Sequence, residues 1–305
     1  MISVVIPVFN RPDTVARAIG SVQAQRGLGA EDIEIILVDD GSVPPLRVTV
    51  ADARTKIVRC ERNMGAAAAR NLGVRAAKGD YLAFLDSDDV WRSDKLACQL
   101  DVMRRIEQEN GATLDALVCN FYCPNRVTGR LQSRMLRSAN TLSDFASGCW
   151  FCPGSTLFIR RSAFNSVGPF DERLRRLEDL DWFIRFGQRS GHLHVLPYVG
   201  VIVAPSYSGS FDAVDQSTRV IEAKFNACSD TALPPSAWRR LQAYLALERG
   251  AALLREGETL KGLCYLLFSF WHKPRLQGAV KPFWERSSDV PPDVLMMFAE
   301  MAGRV

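Results

Sequence analysis

The chain has no run of lysine or arginine long enough to follow a phosphate backbone, and its net charge is only +4. A nucleic-acid partner is therefore not expected. It also lacks any uncharged apolar stretch of roughly 18 residues, the length a membrane-spanning helix requires. The first nine residues are apolar, but Pro7, Asn10 and Arg11 interrupt them well short of a secretory signal, so the expected location is the cytosol. Neither an internal repeat nor a low-complexity segment is present. With no export signal, the eight cysteines read as reduced thiols and not as a disulfide set. Cys119-x3-Cys123 and Cys149-x2-Cys152 have spacings that can hold zinc, yet Cys119 lies inside a strand-like run where such pairs need not converge. Packing is the expected use of these thiols.

What is present is a 305-residue chain with 47% hydrophobic content, enough core for one elaborated domain or two. Its organising stretch is Tyr81-Leu82-Ala83-Phe84-Leu85, which runs directly into Asp86-Ser87-Asp88-Asp89. A short apolar run bounded in this way reads as an interior strand of an α/β sheet. Ligands of such sheets lie beyond the carboxyl ends of strands, which puts Asp86, Ser87 and Asp88 at the mouth of a crevice. Hard carboxylate oxygens on a tight turn suit Mg²⁺ or Mn²⁺, and a diphosphate is the natural partner of such an ion. The same residues would serve simply to make a turn and cap the next helix.

Upstream, Ile2-Ser3-Val4-Val5-Ile6-Pro7-Val8-Phe9 reads as a first strand. Asn10-Arg11-Pro12-Asp13 then opens a helix whose Val15, Ala18, Ile19 and Val22 form one apolar stripe. Ile33-Glu34-Ile35-Ile36-Leu37-Val38 is a second strand, ending in the acidic cluster Asp39-Asp40-Gly41-Ser42. A strand over residues 56–59 precedes an alanine-rich helix that starts near Gly65 and contains Arg70. The alanines favour a helix and let it lie close to a sheet. Arg70 either snorkels to solvent or reaches a phosphate. The order β-α-β-β-α-β predicts a mostly parallel, doubly wound sheet.

Pro7-Val8-Phe9-Asn10-Arg11-Pro12, Val38-Asp39-Asp40-Gly41-Ser42, Asn63-x-Gly65 with Ala69-Arg70-Asn71, and Phe84-Leu85-Asp86-Ser87-Asp88-Asp89 together resemble the family 2 glycosyltransferases of GT-A fold. The resemblance spans about residues 1–200 and fades beyond. It implies a Rossmann-like sheet flanked by helices, and sugar transfer from a nucleotide donor, a UDP-sugar, to an acceptor hydroxyl with inversion. By the same resemblance, Pro7, Val8, Phe9 and Asn10 line the nucleobase pocket, and Phe9 keeps ring stacking where a tyrosine is frequent. Asp39 would accept from the uracil ring, and Arg70 would help hold the nucleotide. Asp86 would lie nearer the ribose, with Ser87 between, and Asp88 on a Mn²⁺ or Mg²⁺ ion that bridges the diphosphate. The implied acceptor is a saccharide or lipid-linked saccharide of bacterial surface polysaccharide or glycolipid synthesis.

Further along, Leu96, Leu100 and Met103 predict a helix against the sheet, and residues 115–122 another strand. Residues 127–143 are polar and basic without period and read as a loop over the site. Residues 151–161 resemble the family's return strand. Glu178-Asp179 opens an amphipathic helix; acids favour such positions in any case. The resemblance implies that Asp179 is the catalytic base, while Asp181 pairs with Arg185 at i,i+4. From about residue 206 the chain reads as helical, and Leu263 to Trp271, an apolar run flanked by Lys261, His272, Lys273 and Arg275, is either a core or subunit contact or a helix lying in a membrane interface. The expected organisation is a nucleotide-sugar-binding half over 1–115, an acceptor-binding half of the same domain over 116–205, and a helical extension over 206–305. Two other readings of the acids are a phosphatase with an Asp nucleophile at Asp86 and a non-catalytic nucleotide-sugar-binding protein on the same fold.

Overall fold

The structure is a computed structural model describing residues 1–47, 54–111, 114–125, 128–150, 153–204, 209–273, 285–287 and 290–301. The expected first half forms in order. Strand β1 (Ile2–Val8) leads to α1 (Pro12–Gln23), which buries Val15, Ala18, Ile19 and Val22. Then come β2 (Ile33–Asp39), β3 (Thr55–Arg59), α2 (Ala66–Ala76) and β4 (Tyr81–Phe84). These strands are parallel, in the order β3-β2-β1-β4. Helix α2 lies tight on this sheet because its inward residues are small; a Cβ at Gly73 would stand 2.3 Å from Val5 Cγ1. That proximity carries Arg70 of the same helix toward the end of β4.

Next are β5 (Val90–Trp91), α3 (Lys95–Asn110), β6 (Asp115–Pro124) and β7 (Leu131–Met135). They are followed by α4 (Leu142–Phe145), α5 (Pro153–Thr156), β8 (Phe158–Arg160), α6 (Arg161–Val167), α7 (Glu178–Gln188) and β9 (His192–Ile202). Strand β8 enters antiparallel between β4 and β6, so the sheet changes from parallel to mixed there. Asp115, the last residue of the expected first half, is the first residue of β6, inside one continuous sheet.

Two sequence expectations change. Residues 128–143 are not one continuous loop: β7 pairs antiparallel with β6, Asn125 N donates to Arg130 O, and α4 begins at Leu142, leaving irregular structure on either side of β7. Only Leu131 and Ser133 of β7 are buried, so its polar face hid a strand on the period-2 rule. The return strand is only the three residues of β8, preceded by the α5 turn; Phe151 and Cys152 lie outside the described residues, as does Val127.

The C-terminal part contains α8 (Phe211–Phe225), α9 (Pro235–Arg255), α10 (Thr259–His272), β10 (Glu285–Ser287) and α11 (Pro292–Met301). The expected boundary at 205/206 is outside the described residues. Helices α8 and α9 share a core with α7: Leu177, Leu180 and Ile184 pack with Ile221, Phe225, Leu241 and Leu245. They are thus braced against the helix that carries the Glu-Asp pair. Among the described residues no helix is long and apolar enough to cross a membrane. Cys119 is buried on β6, Cys123 Sγ accepts from Arg134 Nε, and Cys149 turns toward Asp179. These three thiols serve packing and local bonding, whereas Cys228 and Cys264 are exposed.

Candidate active site

A cavity of about 580 Å³ opens at the carboxyl ends of β1 and β4 and is closed on its far side by the amino end of α7 and by α9. Pro7, Val8 and Phe9, the strand-end residues Asp86, Ser87 and Asp88, and the α7 acids Glu178 and Asp179 all line it. The site therefore joins residues from Pro7 to Glu248 in the chain. A second cavity, of about 570 Å³ between Met103, Asp115 and Arg160, is remote from these acids.

Arg70 is the tie across the site. It is buried, and it donates from Nη2 to Asp86 Oδ1 at 2.8 Å and from Nη1 to Glu178 Oε1 at 2.6 Å. Burial alone would push the guanidinium down, but the Asp86 and Glu178 carboxylates hold it charged, above its ordinary value. The strand-end acids and the α7 acids are held at a fixed separation by one cation.

At the end of β4 the three acids are divided between tasks. Asp86 N donates to Ser155 Oγ, and Asp88 pairs with Arg11. Asp89 turns inward, where it accepts from Ser155 Oγ and, at 2.8 Å, from Ala204 N. Burial first, then the charges of Asp86 and Asp88, push the Asp89 carboxyl well above the usual range. Its role is to pin the motif to α5 and to the segment after β9. The concentrated negative charge at Asp86 and Asp88, offered as hard oxygens, fits a divalent cation such as Mn²⁺ or Mg²⁺. Among the described residues no group of three or more such side chains is arranged to hold an ion, so remaining ligands would come from donor and water oxygens.

Asp179 is the second acid of α7, after Leu177, which sits in the left-handed region at φ 62°. Its Oδ1 accepts from Leu180 N at 2.7 Å, and the Cys149 thiol also bonds to it. Burial pushes its carboxyl up from the ordinary value, partly offset by the Leu180 bond and by Arg70. Burial likewise raises Glu178, with Arg70 opposing. Asp181 is fully buried in ion pairs with Arg185 at 2.9 Å and Lys224 at 2.6 Å and does not line the cavity.

Asp39 and Asn10 are placed differently from the nucleobase-pocket expectation. Asp39 is buried; Oδ1 accepts from Ser42 N, and Oδ2 accepts from Leu46 N and Arg59. Burial pushes its carboxyl up, but the bonds from Ser42, Leu46 and Arg59 outweigh it and hold the group below the usual range. Asn10, at φ 50°, joins the loops after β1 and β2: its N donates to Ser42 Oγ, and its Oδ1 accepts from Val43 N. Neither residue lines the cavity, whereas Asp40 does, accepting from Met64 N and Gly65 N.

Among the lining residues that sequence reasoning did not assign to the site, Arg175, Arg176, Tyr244 and Glu248 carry chemistry. Arg175 and Arg176 bring two cations to the rim, Arg175 Nη1 donating to Asn63 Oδ1 at 2.9 Å. The cluster Arg173-Leu174-Arg175-Arg176 just before Glu178 was the available signal. Tyr244 and Glu248 come from one face of α9, and nothing in their local sequence marks them. Burial, followed by the Glu248 charge and hydrogen bond among the causes, pushes the Tyr244 phenol well above its usual value.

Residues 3–168, more than half of the chain, match the Glycosyl transferase family 2 domain. The chain belongs to glycosyl transferase family 2. It is 37% identical over 123 residues to the succinoglycan biosynthesis protein ExoO of Rhizobium meliloti, covering 39% of this chain and 33% of that protein. It is 27% identical over 192 residues to the amylovoran biosynthesis glycosyltransferase AmsB of Erwinia amylovora, covering 60% of this chain and 62% of that one. The chain thus spans less than two thirds of the length of these relatives. The crystal structure of S. aureus TarS 1-349 in complex with UDP-GlcNAc superposes with a TM-score of 0.55 at 17% identity, covering 90% of this chain and 92% of that one. The likeness is one of fold, and it agrees with the GT-A architecture. Family membership makes this a transferase domain and sets aside the phosphatase reading of Asp86. The match ends before Asp179, so α7 and α9 contribute to the cavity from outside the matched residues.

Proposed function

We propose that this domain transfers a sugar from a UDP-sugar donor to a hydroxyl of a saccharide or lipid-linked saccharide acceptor, with inversion, in the assembly of a bacterial surface polysaccharide. The observation that carries the reading is the gathering of two acid sets in one cavity: Asp86 and Asp88 at a strand end, and Asp179 at the start of α7, the two linked by Arg70, which bonds both Asp86 and Glu178. The crystallised TarS complex with UDP-GlcNAc and the polysaccharide relatives ExoO and AmsB support the donor and acceptor classes.

The donor diphosphate lies over Asp86, Ser87 and Asp88, with the base against Pro7, Val8 and Phe9. A Mn²⁺ or Mg²⁺ ion held by Asp88 and Asp86 would supply positive charge beside the leaving diphosphate. Arg11, Arg175 and Arg176 at the cavity add cationic surface for phosphate oxygens. Asp179 takes the acceptor proton as its oxygen attacks. An ordinary carboxylate near 4 is a weak base for an alcohol. Burial raises Asp179 above that, which brings its proton affinity closer to the task.

Asp179→Asn keeps size and hydrogen bonding but removes the proton acceptor, so donor affinity measured by calorimetry should hold while transfer falls by about 10² to 10⁴. A protein that binds UDP-sugar and metal yet turns over no acceptor before mutation would instead be a non-catalytic binding protein. Full turnover by Asp179→Asn would refute the base assignment.

A further inference from the structure

Helix α10 is built the wrong way round for a helix of a globular domain. It docks on α9 through small residues: Gly262 and Ser269 are its buried positions, and Ser269 Oγ donates to Ala243 O at 2.6 Å. A Cβ at Gly262 would stand 2.9 Å from the Leu254 side chain, so the close crossing depends on glycine there. Leu266 and Tyr265 also turn toward α9 and α8, but the remaining large apolar residues point the other way. At about 100° per residue, Leu260, Leu263, Leu267, Phe268, Phe270 and Trp271 fall on one continuous face opposite the Gly262–Ser269 seam. Leu260 is 81% exposed, Leu267 69% and Trp271 84%. A core helix would bury that face, so the core reading of this segment does not hold.

We propose that this face of α10 is a docking surface for a bilayer containing anionic lipid, with the helix lying in the interface plane. Three features choose this occupant. The helix is 14 residues long, about 21 Å at 1.5 Å per residue, too short to span but suited to lying flat. Lys261, which pairs with Glu258 at 3.0 Å, lies beside the apolar face on its polar side, where a lysine meets lipid headgroups while the apolar residues enter the acyl boundary. From Glu256 to Arg286 the sequence carries Lys261, Lys273, Arg275, Lys281 and Arg286 against Glu256, Glu258 and Glu285, a basic excess that lies in the sequence after the helix and complements an anionic surface. Trp271 and Phe270 at the basic end match the aromatic preference of membrane interfaces. The proposal does not depend on the identity of donor or acceptor.

The test is co-sedimentation of the whole protein with neutral phosphatidylcholine vesicles and with vesicles containing about a third phosphatidylglycerol, at low and high salt, a composition range that brings the surface field into play. Binding to the anionic vesicles that weakens as salt rises is expected. Leu267→Ser/Trp271→Ser should lower the partition by on the order of a hundredfold, since two apolar side chains are withdrawn from the interface. Lys261→Glu/Lys273→Glu should weaken binding while leaving the apolar face whole. UDP-sugar affinity reports that each variant is folded. No binding to either vesicle, or equal binding to both without salt dependence, overturns the proposal. So does a dimer in sedimentation that Leu267→Ser/Trp271→Ser converts to monomer, which would make the face a contact between copies.

Discussion

Arg70→Met offers the sharpest test of how the site is assembled, because it removes the one cation that holds the strand-end acids and the α7 acids together. In the native protein Arg70 sits between Asp86 and Glu178, with side-chain exposures of 9% for the arginine, 12% for Glu178 and 37% for Asp86. Asp86 is wet enough for water to screen the loss of its partner. Glu178 is not, and breaking a buried pair from one side costs about 3–5 kcal/mol. With 305 residues at about 2.1 cal/mol/K each, the unfolding entropy is about 0.6 kcal/mol/K, so the melting temperature should fall by about 5–8 °C.

The penalty should depend on pH in a defined direction. Burial already raises Glu178 in the folded protein above its ordinary value, and losing Arg70 raises it further. A carboxyl raised on folding costs nothing where it is protonated in both states. The cost then grows as pH rises from the unfolded value through the folded one. Arg70→Met should therefore be close to wild type near pH 4.5 and worst at pH 7 and above. Urea or thermal unfolding at a series of pH values measures this. Arg70→Met/Glu178→Gln, which has no charge left to bury, should regain most of the loss and lose the pH dependence. A penalty under about 1 kcal/mol at pH 7, or one equally large with Gln at 178, would show that the bridge does not organise the site.

Asp88→Asn should weaken metal-supported UDP-sugar binding and abolish transfer with little change in melting temperature, because a strand-end carboxylate outside the core contributes little to folding; unchanged activity after chelation would remove the metal site. Asp39→Ala should lower uridine nucleotide affinity by about 1.5–3 kcal/mol if the base reaches this carboxylate. Loss of stability with unchanged UDP affinity would leave Asp39 as the strut that its bonds to Ser42, Leu46 and Arg59 already make it. Glu248 lines the cavity from α9, outside the family-matched residues; as an acceptor contact, Glu248→Gln should raise the acceptor KM by about tenfold with donor affinity unchanged, the size of one charged hydrogen bond. A shift in donor affinity instead would place α9 on the wrong side of the cavity.

The sequence by itself determined the parallel half of the sheet and the position of its ligand end. Apolar runs such as residues 33–38 and 81–85 can be satisfied only by burial on both faces, and their abrupt change to acids marks where the strand leaves the core. Helices α1, α2 and α3 were legible for the same reason, since each must turn its apolar or small stripe to that sheet. The family motifs then pointed to Asp86, Asp88, Arg70 and Asp179, all of which line one cavity. Strand β7 was hidden because a strand with one wet face and only two buried residues carries almost no periodic signal. Tertiary structure alone decided the rest. Local pattern says which face of α9 is buried but not what lies against it, so Tyr244 and Glu248 reach the site only through the packing of α9 on α7. Asp39 turned inward because three donors from the following loop and β3 were in reach. For α10, the apolar run left core, subunit and membrane-interface readings open; only its docking on α9 through Gly262 and Ser269 decided that Leu260, Leu267 and Trp271 face outward.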